Sequence, residues 1–161
     1  MTKTEVAIVV NPGSTSTKFA IFSREGSLYE ETVRHPQEEL AKFKLVSEQF
    51  DFRYTMIKKA VDKVVAEKGF QVVASVGRGG PVKPLEGGTY LVNQALLDDL
   101  NSCKFANHAS NLGGIIADQL AKDFGLKESY IVDPVTTDNM WDKARLSGLP
   151  GITRICRVHA L

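Results

Sequence analysis

A large net excess of positive or negative residues is missing from this sequence. Its 20 Lys and Arg against 19 Asp and Glu leave a net +1. That is too weak a field to draw the chain to nucleic acid or to an acidic membrane surface. Cysteine is scarce too. Cys103 and Cys156 fit no metal or redox spacing. No apolar run approaches the ~20 residues that span a bilayer. The N-terminus enters a strand pattern at once, without the pattern of a secretory leader. The expected setting is therefore cytoplasmic, with both thiols reduced and no membrane partner. Repeats, low-complexity segments and linker-like stretches are absent as well. At 161 residues, 43% of them apolar, the chain reads as one domain with a proper core.

The polar chemistry is concentrated in one place. An apolar run, Val6–Val10, enters a turn of Asn11, Pro12 and Gly13. Four hydroxyls follow (Ser14, Thr15, Ser16, Thr17), then Lys18, then a second apolar run, Phe19–Phe22. Short hydroxyls, close backbone N–H groups and one ammonium at a hairpin tip make a phosphate cradle. The stretch is no Walker A loop, because the second glycine is missing and a strand follows instead of a helix. Composition alone fits a Ser/Thr-rich surface hairpin equally well.

Along the chain, Glu5–Val10, Lys18–Phe22 and Leu28–Val33 read as three antiparallel strands. His35-Pro36 opens a helical stretch carrying Leu40, Phe43, Val46 and Phe50. His35 itself reads as a surface residue. Met56, Ile57, Ala60, Val61, Val64 and Val65 form the stripe of a clearer helix, ended by Gly69. Phe70–Val76 is a buried strand running into a glycine-rich loop, Gly77–Pro81. Thr89–Val92 is a short strand, and Asn93 caps a small helix. Ser110 is expected to cap another helix, which ends at Gly125. Tyr130–Val132 is a short strand ending at Asp133-Pro134. Together these predict a mixed α/β sheet with helices on both faces.

The motifs V-N-P-G-S-T-S-T-K, V-G-R-G-G, E-G-G-T-Y, H-A-S-N-L-G, I-V-D-P and S-G-L-P occur in that order. The set resembles the butyrate kinases, the branch of the acetate kinase family that acts on longer carboxylic acids, and the likeness covers essentially the whole chain. It implies a ribonuclease H-like domain of the actin, Hsp70 and sugar kinase superfold. It implies reversible transfer of phosphate between ATP and a carboxylate, giving an acyl phosphate, with Mg2+. The family's chain continues well past the position matching Leu161. The expectation is an N-terminal domain, residues 1–161, whose C-terminal nucleotide-binding domain is absent. Such a chain is expected to be inactive alone, and the full-length form to be a homo-oligomer.

The resemblance also implies roles. Asn11, Ser14, Ser16 and Lys18 match the family's phosphate hairpin residue by residue. Asp133 matches its magnesium-associated aspartate, though Asp-Pro is also a common turn. His108 and His159 match two histidines lining the cleft. Acetate kinases have a histidine where Arg78 falls, and their substrate-binding arginine matches Ser75, so Arg78 is a candidate for gripping carboxylate or phosphate whose role does not carry over. Acetate kinases also have valine at Gly77 and phenylalanine at Val158, which implies a wider acid pocket and a preference for butyrate or branched short-chain acids. Glu86 has no assigned chemistry; its glycine neighbours fit a tight turn. Two other readings stay open: a non-catalytic lone domain that keeps an anion site, and a sugar kinase of the same superfold. The second is the weaker, because H-A-S-N-L-G and V-G-R-G-G are peculiar to the carboxylate branch.

Overall fold

The computed structural model describes residues 3–156. The expectations for Val158 and His159 lie outside the described residues. Three strands come first: β1 (Glu5–Pro12), β2 (Ser16–Ser23) and β3 (Gly26–Arg34). They pair antiparallel in sequence order. Helices α1 (Gln37–Leu40) and α2 (Phe50–Lys68) lead to β4 (Gln71–Arg78), which lies parallel to β1. Strand β5 (Thr89–Leu91), helices α3 (Gln94–Asn101) and α4 (Asn111–Asp123), and β6 (Tyr130–Val132) complete the order. The six strands form one sheet in the order β3-β2-β1-β4-β6-β5.

Period-two alternation explains the core. Val6, Ile8 and Val10 of β1 and Phe19 and Ile21 of β2 are buried on one face. Ile57, Val61 and Val64 of α2, and Leu112, Ile116 and Leu120 of α4, close over them. The mixed α/β class is as expected, but the helices are distributed differently. The three longer helices gather over this one face, and the other face carries Lys18, Phe22, Val73 and Arg78 exposed. Its exposed lysine and arginine give a helix little apolar surface to bury.

Glycine is what lets α4 lie so close to the sheet. A Cβ on Gly77 would come within 2.1 Å of the Gly113 carbonyl oxygen, and one on Gly113 within 2.1 Å of the Arg78 carbonyl oxygen. Strand and helix therefore meet backbone to backbone. This corrects the reading of Gly77 as a pocket residue. The volume its side chain would fill is occupied by α4, not by an acid. Ser75 faces the same helix, fully buried, and donates to the Ala117 carbonyl at 2.7 Å.

The helical stretch expected from His35-Pro36 to Phe50 is broken. Only Gln37–Leu40 is α-helical, and a single 3-10 turn, Val46–Gln49, runs into α2. The amides ahead of the 3-10 turn are taken by side chains, two by a local cap and one by a distant residue. Glu48 accepts from the amides of Lys44 and Leu45 at 2.9 and 3.1 Å, and Asn107 Oδ1 from that of Val46 at 2.8 Å. Other signals behave as expected. Gly69 ends α2 in the left-handed region at φ 65°, and Asn93 accepts from the Leu96 amide at 2.9 Å. Ser110 does not cap α4 with its side chain; its hydroxyl is turned to His108.

Candidate phosphate site at the strand ends

Asn11 pairs with Lys18 across the β1–β2 hairpin. Arg78 lies one residue beyond the Val10–Gly77 pair that joins β1 to β4. Val10, Thr17 and Gly77 face the helices, so their neighbours Asn11, Lys18 and Arg78 project from the opposite face. The three stand in one row across β2, β1 and β4, at the C-terminal ends of the two parallel strands. Open α/β sheets hold their ligands at such ends. All three side chains are exposed. Neither cation takes part in an ion pair among the described residues. Ser16 shares the face of Lys18, while Ser14 and Thr15 form the exposed tip. A shallow groove runs from Asn11 and Lys18 down the sheet past Ala20, Phe22, Glu30 and Thr32.

Asp133 stands at the end of β6, the strand beyond β4. Its φ of 44° is uncommon outside glycine. A reciprocal pair with Gly88 holds it. The Gly88 amide donates to Asp133 Oδ1 at 2.9 Å, and the Asp133 amide to the Gly88 carbonyl at 3.0 Å. The E-G-G-T-Y stretch bends at Gly87 and Gly88 without a hydrogen-bonded turn of its own, and Tyr90 Oη donates to the Glu86 carbonyl at 2.7 Å. Asp133 meets a turn role and keeps one carboxylate oxygen for another partner. No group of three or more His, Cys, Asp or Glu that could hold a metal occurs among the described residues. Magnesium still fits here, because it takes one or two carboxylates and completes its shell with waters and substrate phosphates.

His108 precedes α4. Its Nδ1 accepts from the Ser110 amide at 3.2 Å and lies 2.7 Å from Ser110 Oγ. An amide only donates, so Nδ1 is the acceptor nitrogen and the proton of the neutral ring sits on Nε2. That leaves His108 with an exposed N–H donor. The loop carrying it abuts the glycines after Arg78, for a Cβ on Gly80 would come within 2.8 Å of the Ser110 carbonyl oxygen.

Two residues behind the hairpin escaped the sequence reading. Arg53 of α2 is 1% exposed and reaches the turn with both terminal nitrogens. Its signal was present. Arg53 lies four residues before Ile57, on the stripe that faces the core, where an arginine is out of place. His35 is likewise buried, correcting its reading as a surface residue. Its Nε2 lies 2.9 Å from Thr17 Oγ1, and its Nδ1 has no partner.

Burial, with the Arg53 charge beside it, holds the His35 pKa down at about 4. In the unfolded chain it titrates near ~6.5. Between those values the unfolded chain binds more protons, so stability falls as pH drops from the upper to the lower and then levels off. The whole effect is of order 3 kcal/mol. Urea midpoints at pH 7 and pH 5 are expected to diverge for the parent and much less for His35→Gln. An equal loss in both proteins would contradict the assignment.

No family model matches the chain. Comparison with curated proteins is decisive. Over 157 residues, 96% of the chain, it is 48% identical to butyrate kinase 2 of Clostridium acetobutylicum. The chain is a homologue of the butyrate kinases. It is 46% identical over the same length to a probable butyrate kinase of Clostridium botulinum. In both cases the homologue spans 43% of the relative's length. Among solved structures, an acetate kinase from Porphyromonas gingivalis superposes with a TM-score of 0.52 at 13% identity, over 91% of this chain and 41% of that one. At that identity the likeness shows the fold alone. No described helix of this butyrate kinase homologue is long and apolar enough to cross a membrane.

Proposed function

We propose that this chain is the phosphate- and acid-binding side of a carboxylate kinase. The reaction is reversible transfer of phosphate from ATP to butyrate or a branched short-chain acid, giving an acyl phosphate. The observation that carries it is the row of Asn11, Lys18 and Arg78 on one sheet face beside Asp133, in a homologue of butyrate kinases. In-line phosphoryl transfer needs charge neutralisation on the moving group and a positioned acceptor, and little covalent chemistry from the protein. Lys18 and the Ser14 and Ser16 hydroxyls hold phosphate oxygens, and Asn11 orients them. Arg78 grips carboxylate or phosphate with a two-pronged donor. His108 donates from Nε2. Asp133 would hold magnesium, which would supply charge neutralisation. A separate nucleotide-binding domain provides the adenosine pocket, and the whole enzyme works as a homo-oligomer in the cytoplasm.

The test is a titration of inorganic phosphate followed through backbone amide shifts. The largest responses are expected at residues 11–18, with Lys18→Ala weakening binding about tenfold, the scale of one hydrogen bond to a charged group. Responses elsewhere with none at 11–18 would overturn the reading.

A further inference from the structure

Every main-chain carbonyl from Gly13 to Ser16 has a hydrogen-bond donor of the chain itself. Arg53 Nη1 donates to the Gly13 carbonyl and Nη2 to that of Ser14, both at 2.7 Å. The Ser16 carbonyl accepts from the Gly13 amide at 2.7 Å and from Arg53 Nη1 at 3.5 Å. The Thr15 carbonyl takes the His35 amide at 2.9 Å. Arg53 Nε donates to Gln49 Oε1 at 3.0 Å, which locks the fork in plane. A carbonyl oxygen turned toward an anion would repel it. With all four carbonyls engaged, and the Gly13 amide spent on one of them, the tip keeps its hydroxyls for the ligand.

The charge is the second part of the argument. Arg53 is buried, and its partners are carbonyls and an amide; no carboxylate pairs with it among the described residues. Burying a cation without a counter-ion is expensive. A neutral donor would staple a turn at far less expense. An unneutralised guanidinium directly behind a hydroxyl-rich tip makes sense if the counter-charge arrives with a ligand. The low-polarity surroundings that make the bare charge costly also strengthen its pull on an anion.

We infer that Arg53 is a positioning residue of the phosphate site, turning the hairpin carbonyls inward and adding positive charge from behind the tip. The inference rests on the phosphate reading of residues 11–18 and assigns its geometry to a residue of α2 that touches no substrate.

The experiment uses the 161-residue chain and inorganic phosphate, with amide shifts as readout. Arg53→Lys keeps a charge but cannot bridge the carbonyls. It is expected to weaken phosphate binding about tenfold and to shift the amides of residues 13–16 before phosphate is added. Arg53→Met should weaken binding further; should it fail to fold, Arg53→Lys carries the test. Val61→Ala is the control, because Val61 is fully buried on the same helix and its truncation destabilises without removing a hydrogen bond to residues 13–16. Its phosphate affinity should stay within about twofold of the parent. A folded Arg53→Lys with parental affinity would overturn the inference. So would a Val61→Ala variant that loses as much affinity as Arg53→Lys. A parent chain silent at residues 11–18 would instead bring down the phosphate reading, and this inference with it.

Discussion

Gly77→Val is expected to lose at least ~3 kcal/mol of folding stability. The added Cβ alone would lie 2.1 Å from the Gly113 carbonyl oxygen, 2.3 Å from its carbon and 2.9 Å from the Gly114 nitrogen. Ordinary overpacking costs ~1–3 kcal/mol because flexible side chains give way. Here the obstacle is helix backbone, so α4 has to move off β4 as a body. That helix also packs on β1 and β6 and holds Leu112, Ile116 and Leu120 in the core. Domains of this size are stable by only ~5–15 kcal/mol, so a loss of this order shows directly in the urea midpoint. Gly113→Ala attacks the same contact from the helix side, with a Cβ 2.1 Å from the Arg78 carbonyl oxygen, and should behave alike. A valine variant with a parental midpoint would contradict the packing argument and reopen Gly77 as a pocket residue.

The second large effect is an expected lack of turnover. The 161-residue chain, supplied with ATP, magnesium, butyrate and hydroxylamine, should form no acyl hydroxamate above background. Asn11, Lys18 and Arg78 stand on an open sheet face, beside a groove that is shallow. Transfer depends on holding reactants that are otherwise dilute, worth ~7–11 kcal/mol when the geometry is right. A site walled on one side keeps its water, and water weakens each charge in it. The chain spans 43% of the butyrate kinases it matches, and the nucleotide-holding part is proposed to lie in the remainder. Turnover abolished by Asp133→Ala would show that the described residues hold more of the site than this account assigns them.

Periodicity carried most of the fold. The apolar runs Val6–Val10 and Phe19–Phe22 located β1 and β2, and the spacing of Ile57, Val61 and Val64 located α2. What periodicity could not show was interruption by distant groups. Asn107 takes the Val46 amide from 61 residues away, and no local pattern registers that. The asymmetry of the sheet was hidden for a similar reason, since strands exposed on one side and strands covered on both can share apolar content. At the site, the motif residues were legible but their supports were not. Lys18 and Asp133 stand out through the family resemblance, since composition alone fits a surface hairpin and a turn. Arg53 and His35 act through main-chain atoms and burial, and only the misplaced arginine on an apolar stripe hinted at them. The glycines of V-G-R-G-G and N-L-G-G were visible, yet whether they clear space for a substrate or a helix depends on what lies across from them. Gly77 meets Gly113.

A chimera tests the central claim most directly. Residues 1–157 of this chain would replace the matching stretch of the Clostridium acetobutylicum butyrate kinase 2, and acyl hydroxamate formation would be measured with ATP, magnesium and butyrate. The account predicts turnover in the chimera, none in the 161-residue chain alone, and loss of turnover when the chimera carries Lys18→Ala. A folded chimera without turnover, or one indifferent to Lys18→Ala, would contradict it.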